Sequence, residues 1–194
     1  NKCLEISKGK YIARIDADDL CLPNRLEAQV SFLEENQEYQ VVGSSVILYD
    51  ETGDKAIRYK KEIPDKYDLV IDVPFVHPTI MMRRETLKYL DGYTVSKRTR
   101  RGQDADLWYR FYSHGFKGYN LKTPLLKYHE SIDDYKKRSF KVRWNGVKLR
   151  YRGFKTLKLP FWYYVFLFKP LIAGMIPKNL MYLYHKSISG KKNK

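Results

Sequence analysis

The 194-residue sequence predicts an α/β fold carrying a basic, aromatic-rich helical C-terminal tail, on three observations. Short runs rich in Val, Ile and Tyr alternate with stretches of helical period, the pattern of a layered α/β domain. Hydrophobic residues make up 43% and charged residues 30%, enough apolar surface for a packed core and too much for global disorder. Charge is segregated: residues 135–194 hold 16 of the 37 Lys and Arg and no acid, whereas the first 134 residues balance 21 bases against 22 acids. The tail is therefore expected to meet an anionic partner, and the domain before it is not. Two cysteines, Cys3 and Cys21, build no disulfide framework, and no Cys/His cluster points to zinc.

Element by element, residues 1–10 read as the end of a helix, with Leu4 and Ile6 apolar and Ser7-Lys8-Gly9-Lys10 closing it. A domain that opens inside a helix is expected to continue a longer chain. Residues 11–16 (YIARID) read as a strand, and 22–36 as a helix with Pro23 in its first turn and Leu26, Val30 and Leu33 as the buried face. A Val/Ile-rich strand covers 40–50, and a turn covers 51–54. Residues 63–72 suit a short helix, and 75–83 a strand that Pro78 confines to an irregular position. A short helix closing on Gly92, a basic loop over 96–101, a helix over 104–115 and a last strand over 125–129 complete the domain.

The most informative stretch is ARIDADDLCLPNRL, where Asp16, Asp18 and Asp19 follow an apolar strand and precede a helix. In extended backbone, residues two apart face the same side, so Asp16 and Asp18 can converge. Two carboxylate oxygens suit a hard cation, Mg²⁺ or Mn²⁺, that keeps its other positions for water and phosphate oxygens. An EF-hand is excluded, because Cys21 stands where the loop glycine belongs. A turn with helix-capping aspartates is the competing reading of the same residues.

Three stretches in order then resemble family 2 glycosyltransferases of the bacterial polysaccharide type. GKYIARIDADDLCLPNRLEAQ resembles their DxD region, HPTIMMRRETLKYLDGY their HPT–strand–helix–GGY segment, and GQDADLWYRF their GEDxDLWxR segment. The resemblance runs from about Gly9 to His129 and implies the GT-A fold in part, the nucleotide-base strands lying upstream. It also implies sugar transfer with inversion, from a nucleotide-diphosphate donor to a glycan or lipid-linked acceptor, in cell-surface polysaccharide synthesis. By that similarity Asp16 lies at the donor ribose and diphosphate, and Asp18 holds the Mg²⁺ or Mn²⁺ that bridges the diphosphate. Asp104 falls on the catalytic base; the other reading of Asp104 is a helix cap. Gln103 departs from the family's usual Glu and becomes an uncharged acceptor-site candidate. Asp19 and Asp106 are expected to hold backbone, Asp19 that of the residues after it. His129, in LLKYHESIDD, resembles a family segment whose His approaches the metal, and His77 is an acceptor-cleft candidate.

The tail mixes bases with rings, which nucleic-acid binders and interfacial membrane segments both do. Its longest apolar run, Leu159 to Phe168, is ten residues, half of the about 20 that a crossing helix needs. Leu159 to Ile176 with one lysine leaves crossing open, and packing of the rings against the domain is a further reading. The expectation is a transferase part at 1–134 and a membrane-associating tail at 135–194, peripheral on the cytoplasmic face of an anionic membrane. Two other classes are weighed against it. A nucleic-acid-binding module leaves the acidic cluster unexplained and has no binding signature of that kind. A non-catalytic membrane-associated protein leaves the three motifs unexplained.

Overall fold

The computed structural model describes residues 1–96, 99, 101–130 and 139–175. It is a mixed α/β fold built on one curled six-stranded sheet. Helix α1 (Lys2–Ile6) leads to β1 (Tyr11–Ala13), then β2 (Leu20–Cys21), α2 (Arg25–Glu35), β3 (Val41–Asp50) and β4 (Gly53–Arg58). After 3-10 turns at Asp68–Val70 and His77–Thr79 come β5 (Met81–Arg83), α3 (Arg84–Tyr89), α4 (Gln103–Ser113) and β6 (Gly118–His129). Helix α5 (Phe140–Thr156), a 3-10 segment (Phe161–Phe168) and α6 (Lys169–Met175) follow.

The sheet order is β1-β5-β3-β6-β2, with β4 paired to the outer half of β3. Strands β3 and β6 run parallel, and β5 is antiparallel to both β3 and β1. Consequently β1, β3 and β6 all point the same way, and the loops after them gather at one end of the sheet. That is where α/β folds place ligands. Val41 to Val46 are buried without interruption, as expected of a strand covered on both faces. Gly43 is required there: a Cβ would lie 2.5 Å from Oδ1 of the buried Asn120 on β6.

The core centres on Trp108 of α4, which packs on Phe75 and Phe111. Helix α5 and the segment after it close this core. Val147, Phe154, Leu157, Leu159 and Leu167 are buried in the same cluster as Trp108.

Several expectations are corrected. Strand β4 begins inside the stretch read as a turn and continues through residues given no element, and the short β2 lies in another such stretch. Strand β6 begins at Gly118, seven residues before the expected start. Strand β1 ends at Ala13 and leaves Asp16 in a loop. Pro78 sits in a 3-10 turn, where its missing N–H costs nothing, and the strand beyond it is only three residues. On α2, Arg25, Gln29 and Leu33 are the buried residues while Leu26 is exposed, so the inward face is largely polar. The expectations for residues 131–138 and 176–194, and for 97, 98 and 100 of the basic loop, lie outside the described residues.

Candidate active site

Asp16, His77, Gln103 and Asp104, from three distant segments, line one cleft of about 550 Å³. The reason is local in each case. Asp16 follows β1, whose register is continued by the Arg14 N–H donating to the Ile80 carbonyl. That bond brings the loop after β1 against the His77–Thr79 turn. Asp104 lies in the first turn of α4, after Gly102 at φ +133°, a conformation costly for any residue with a Cβ. Gly102 also has Leu149 of α5 so close that a Cβ would meet it at 2.6 Å.

Arg14 pairs with Asp16 at 2.9 Å and lies over the Tyr93 ring, 5.8 Å from its centre. His77 Nε2 and the Tyr93 hydroxyl share a hydrogen bond of 3.0 Å. Burial pushes the Tyr93 phenol above its usual range; Arg14 opposes this, and Asp104 and Asp16 add to it. Burial, helped by Arg14, lowers His77 to about 3, so its ring is neutral at any working pH. The far wall comes from β4 and its neighbours: Arg58 pairs with Glu130, and Lys60 pairs with Asp72 at 2.6 Å.

Asp18 and His129 are not part of the cleft lining, but they are brought near each other. The Tyr49 hydroxyl donates to the Asp18 carbonyl at 2.8 Å, and the Tyr49 ring packs edge-on against His129 at 5.3 Å. His129 Nε2 lies 3.4 Å from Glu51. Asp18 is exposed, and its carboxylate makes no hydrogen bond or ion pair among the described residues. Asp19 is buried and accepts from the His129 N–H at 3.0 Å, so it holds the end of β6 and not the backbone that follows it. Burial raises its carboxyl to about 6 against that bond, with Asp18 and Asp16 adding to the rise. Asp106 does not hold backbone directly: it accepts from the Thr94 hydroxyl at 2.6 Å and pairs with Arg110, which in turn reaches the carbonyls of Leu90 and Gly92.

Among the described residues no three His, Cys, Asp or Glu side chains gather to hold a metal. Asp16 and Asp18 are oxygen donors of the kind a hard cation takes, but Asp16 is paired with Arg14 and Asp18 lies outside the cleft lining.

Sequence reasoning passed over Arg14, Tyr93 and Arg25. Arg14 was legible as the residue two before Asp16 on an extended chain. Arg25 was not, because nothing local marks a helix arginine as buried. It is 1% exposed and donates to the Pro78 carbonyl at 2.9 Å, to the Arg14 carbonyl and to Gln29.

The family model for glycosyl transferase family 2 matches residues 1–120, a span that includes Asp16, Asp18, His77, Gln103 and Asp104. This chain belongs to glycosyl transferase family 2. The Bacillus subtilis (strain 168) protein EpsE, named as a glycosyltransferase, is 44% identical over 186 residues, covering 96% of this chain and 67% of EpsE. The amylovoran biosynthesis glycosyltransferase AmsE of Erwinia amylovora is 29% identical over 206 residues, covering 98% of this chain and 72% of AmsE. The crystal structure of S. aureus TarS 1–349 in complex with UDP superposes with a TM-score of 0.55 at 15% identity, over 81% of this chain and 47% of that one. That likeness establishes the fold, part of the GT-A architecture. The chain thus spans about two thirds of EpsE and about half of the TarS chain.

Proposed function

We propose that the whole protein transfers sugar, with inversion, from a nucleotide-diphosphate donor to a glycan or lipid-linked acceptor in cell-surface polysaccharide synthesis. The observation that carries this reading is the shared cleft of Asp16 and Asp104. A nucleotide-sugar donor is supported by the TarS structures in complex with UDP and with UDP-GlcNAc.

In this reading Asp104 is the base. It takes the proton of the acceptor hydroxyl as that oxygen attacks the anomeric carbon, opposite the departing diphosphate. Its place in the first turn of α4 holds the carboxylate on a rigid element. Asp16, anchored by Arg14, faces the donor ribose and diphosphate. The neutral His77 and the uncharged Gln103 offer hydrogen bonds to acceptor hydroxyls without competing for the proton. Asp18, with Asp16 beside it, would hold Mg²⁺ or Mn²⁺, and His129 is the further candidate ligand. When bound, the ion neutralises charge developing on the leaving diphosphate.

Residues 1–134 carry this chemistry. Residues 135–194 are the basic segment that keeps the enzyme on the cytoplasmic face of the membrane, where lipid-linked acceptors and soluble donors meet. The test is a transfer assay of the full-length protein with a panel of nucleotide sugars and Mn²⁺, with product anomers read by NMR. Inverted product that requires the ion supports the reading; retained configuration or undiminished turnover in chelator contradicts it.

A further inference from the structure

The segment from Ser139 to Met175 has two faces. Phe154, Leu157, Leu159 and Leu167 point inward to the core around Trp108, with Tyr163 and Tyr164 half-buried beside them. Phe161, Trp162, Val165, Phe166 and Phe168 point outward, with Phe161 80% and Trp162 60% exposed. Between Leu159 and Phe168 there is no charged residue, while Lys155, Lys158 and Lys169 flank the stretch. Residues 139–175 together hold eight Lys or Arg and no acid. Contiguous exposed apolar side chains of this kind mark an interaction surface.

The same segment grips the cleft wall. Arg150 Nη1 donates to the Val70 carbonyl at 2.9 Å, and Lys169 Nζ donates to the Ile71 carbonyl. The Tyr163 ring lies 5.4 Å from that of Tyr67. Residues 70 and 71 run straight into Asp72 and Val73, which line the cleft.

We propose that Phe161–Phe168 is a lipid-docking ridge that seats in the interface of an anionic bilayer and, through Val70 and Ile71, turns the Asp72–Val73 wall of the cleft toward a lipid-borne acceptor. The inference rests on the lipid-linked reading above and supplies its geometry. Charge decides the occupant. A nucleic-acid strand needs cations among the stacking rings, whereas here an uncharged aromatic ridge is bordered by cations, which matches an acyl boundary beneath anionic headgroups. No helix among the described residues is long and apolar enough to cross a membrane. The ridge is held to the core by its inward residues, so docking orients the cleft and does not merely tether it.

The test uses full-length protein with vesicles of phosphatidylcholine, alone or mixed with phosphatidylglycerol. Within residues 1–194, Trp144→Phe leaves the buried Trp108 and the exposed Trp162 as indoles, so the quenching by brominated lipids that is lost in Trp144→Phe/Trp162→Phe reports on the ridge. The expected results are at least tenfold tighter binding to the anionic vesicles and quenching by the brominated lipid. Phe161→Ser/Trp162→Ser, altered only at exposed positions, should lose at least tenfold in high-salt vesicle binding. It should keep turnover on a soluble acceptor and lose the preference for acceptor in vesicles over detergent micelles. Absent quenching, equal binding to both vesicles, or tighter retention on RNA overturns the ridge. Vesicle binding needs no turnover, so a docking protein without transferase activity contradicts only the proposed reaction. A transferase that leaves vesicles unbound contradicts only the ridge.

Discussion

His77 Nε2 lies 3.0 Å from the Tyr93 hydroxyl, and the His77 ring lines the cleft that Asp16 and Asp104 share. Burial and Arg14 hold the ring at about 3 against an ordinary 6.5. The unfolded chain therefore takes up a proton that the folded chain refuses, and stability from this group is lost as pH falls from about 6.5 toward 3. Above 6.5 it contributes no pH dependence. Between pH 7 and pH 5 the loss is about 2 kcal/mol. Urea unfolding at the two pH values should show that much extra loss in the native protein relative to His77→Asn. Equal losses in both would mean that the ring titrates freely.

Arg25 ties the loop that carries Asp16 to the turn that carries His77, through the carbonyls of Arg14 and Pro78. A lysine offers a point charge in place of the planar fork and cannot span both acceptors and Gln29. Arg25→Lys should destabilise the fold by about 2–4 kcal/mol, since it leaves buried carbonyls unmet. Thermal unfolding measures this, and a change below about 0.5 kcal/mol would remove Arg25 as the buttress of the site.

Gly153 on α5 tests whether the basic segment is part of the folded core. Alanine in a helix interior ordinarily gains about 0.5–1 kcal/mol over glycine. Here a Cβ would lie 2.3–2.4 Å from ring carbons of Tyr109, which is itself buried. Gly153→Ala should therefore lose about 1–3 kcal/mol by overpacking. A gain in melting temperature would show that α5 does not press on α4.

These residues also mark how far the sequence could be read. The partial GT-A fold was legible through the resemblance of the three motifs to family 2, and residues from all three line one cleft. The convergence of Asp16 and Asp18 expected of extended chain did not carry over, because β1 ends at Ala13 and a turn closed by the Asp19 N–H on the Asp16 carbonyl follows. Of the two, only Asp16 lines the cleft. Strand β4 was not legible, because Gly53, Asp54 and Lys55 are exposed and its pairing with β3 rests on backbone bonds that leave no apolar pattern. The buried Arg25 and outward Leu26 reverse the helical signal, since carbonyls from elsewhere in the fold supply the partners of the guanidinium. The aromatics after residue 150 divide between core and surface, and composition alone could not separate Phe154 from Phe161.

Asp18 carries the account of the ion. Its exposed carboxylate has no protein partner among the described residues, so Asp18→Asn should leave folding within about 0.5 kcal/mol. Calorimetric titration should then show Mn²⁺ and nucleotide diphosphate weakening together by tenfold or more. Weakening of the nucleotide alone would place the ion elsewhere.

The central claim is that Asp104 removes the acceptor proton in the cleft it shares with Asp16. The most direct measurement compares the full-length protein with Asp104→Asn for turnover and, by calorimetry, for donor affinity. The account predicts a fall in kcat of about 10²–10⁴ with the donor dissociation constant unchanged within about threefold, because the carboxylate makes no donor contact in this reading. Undiminished kcat, or a loss that lies entirely in donor binding, would contradict it.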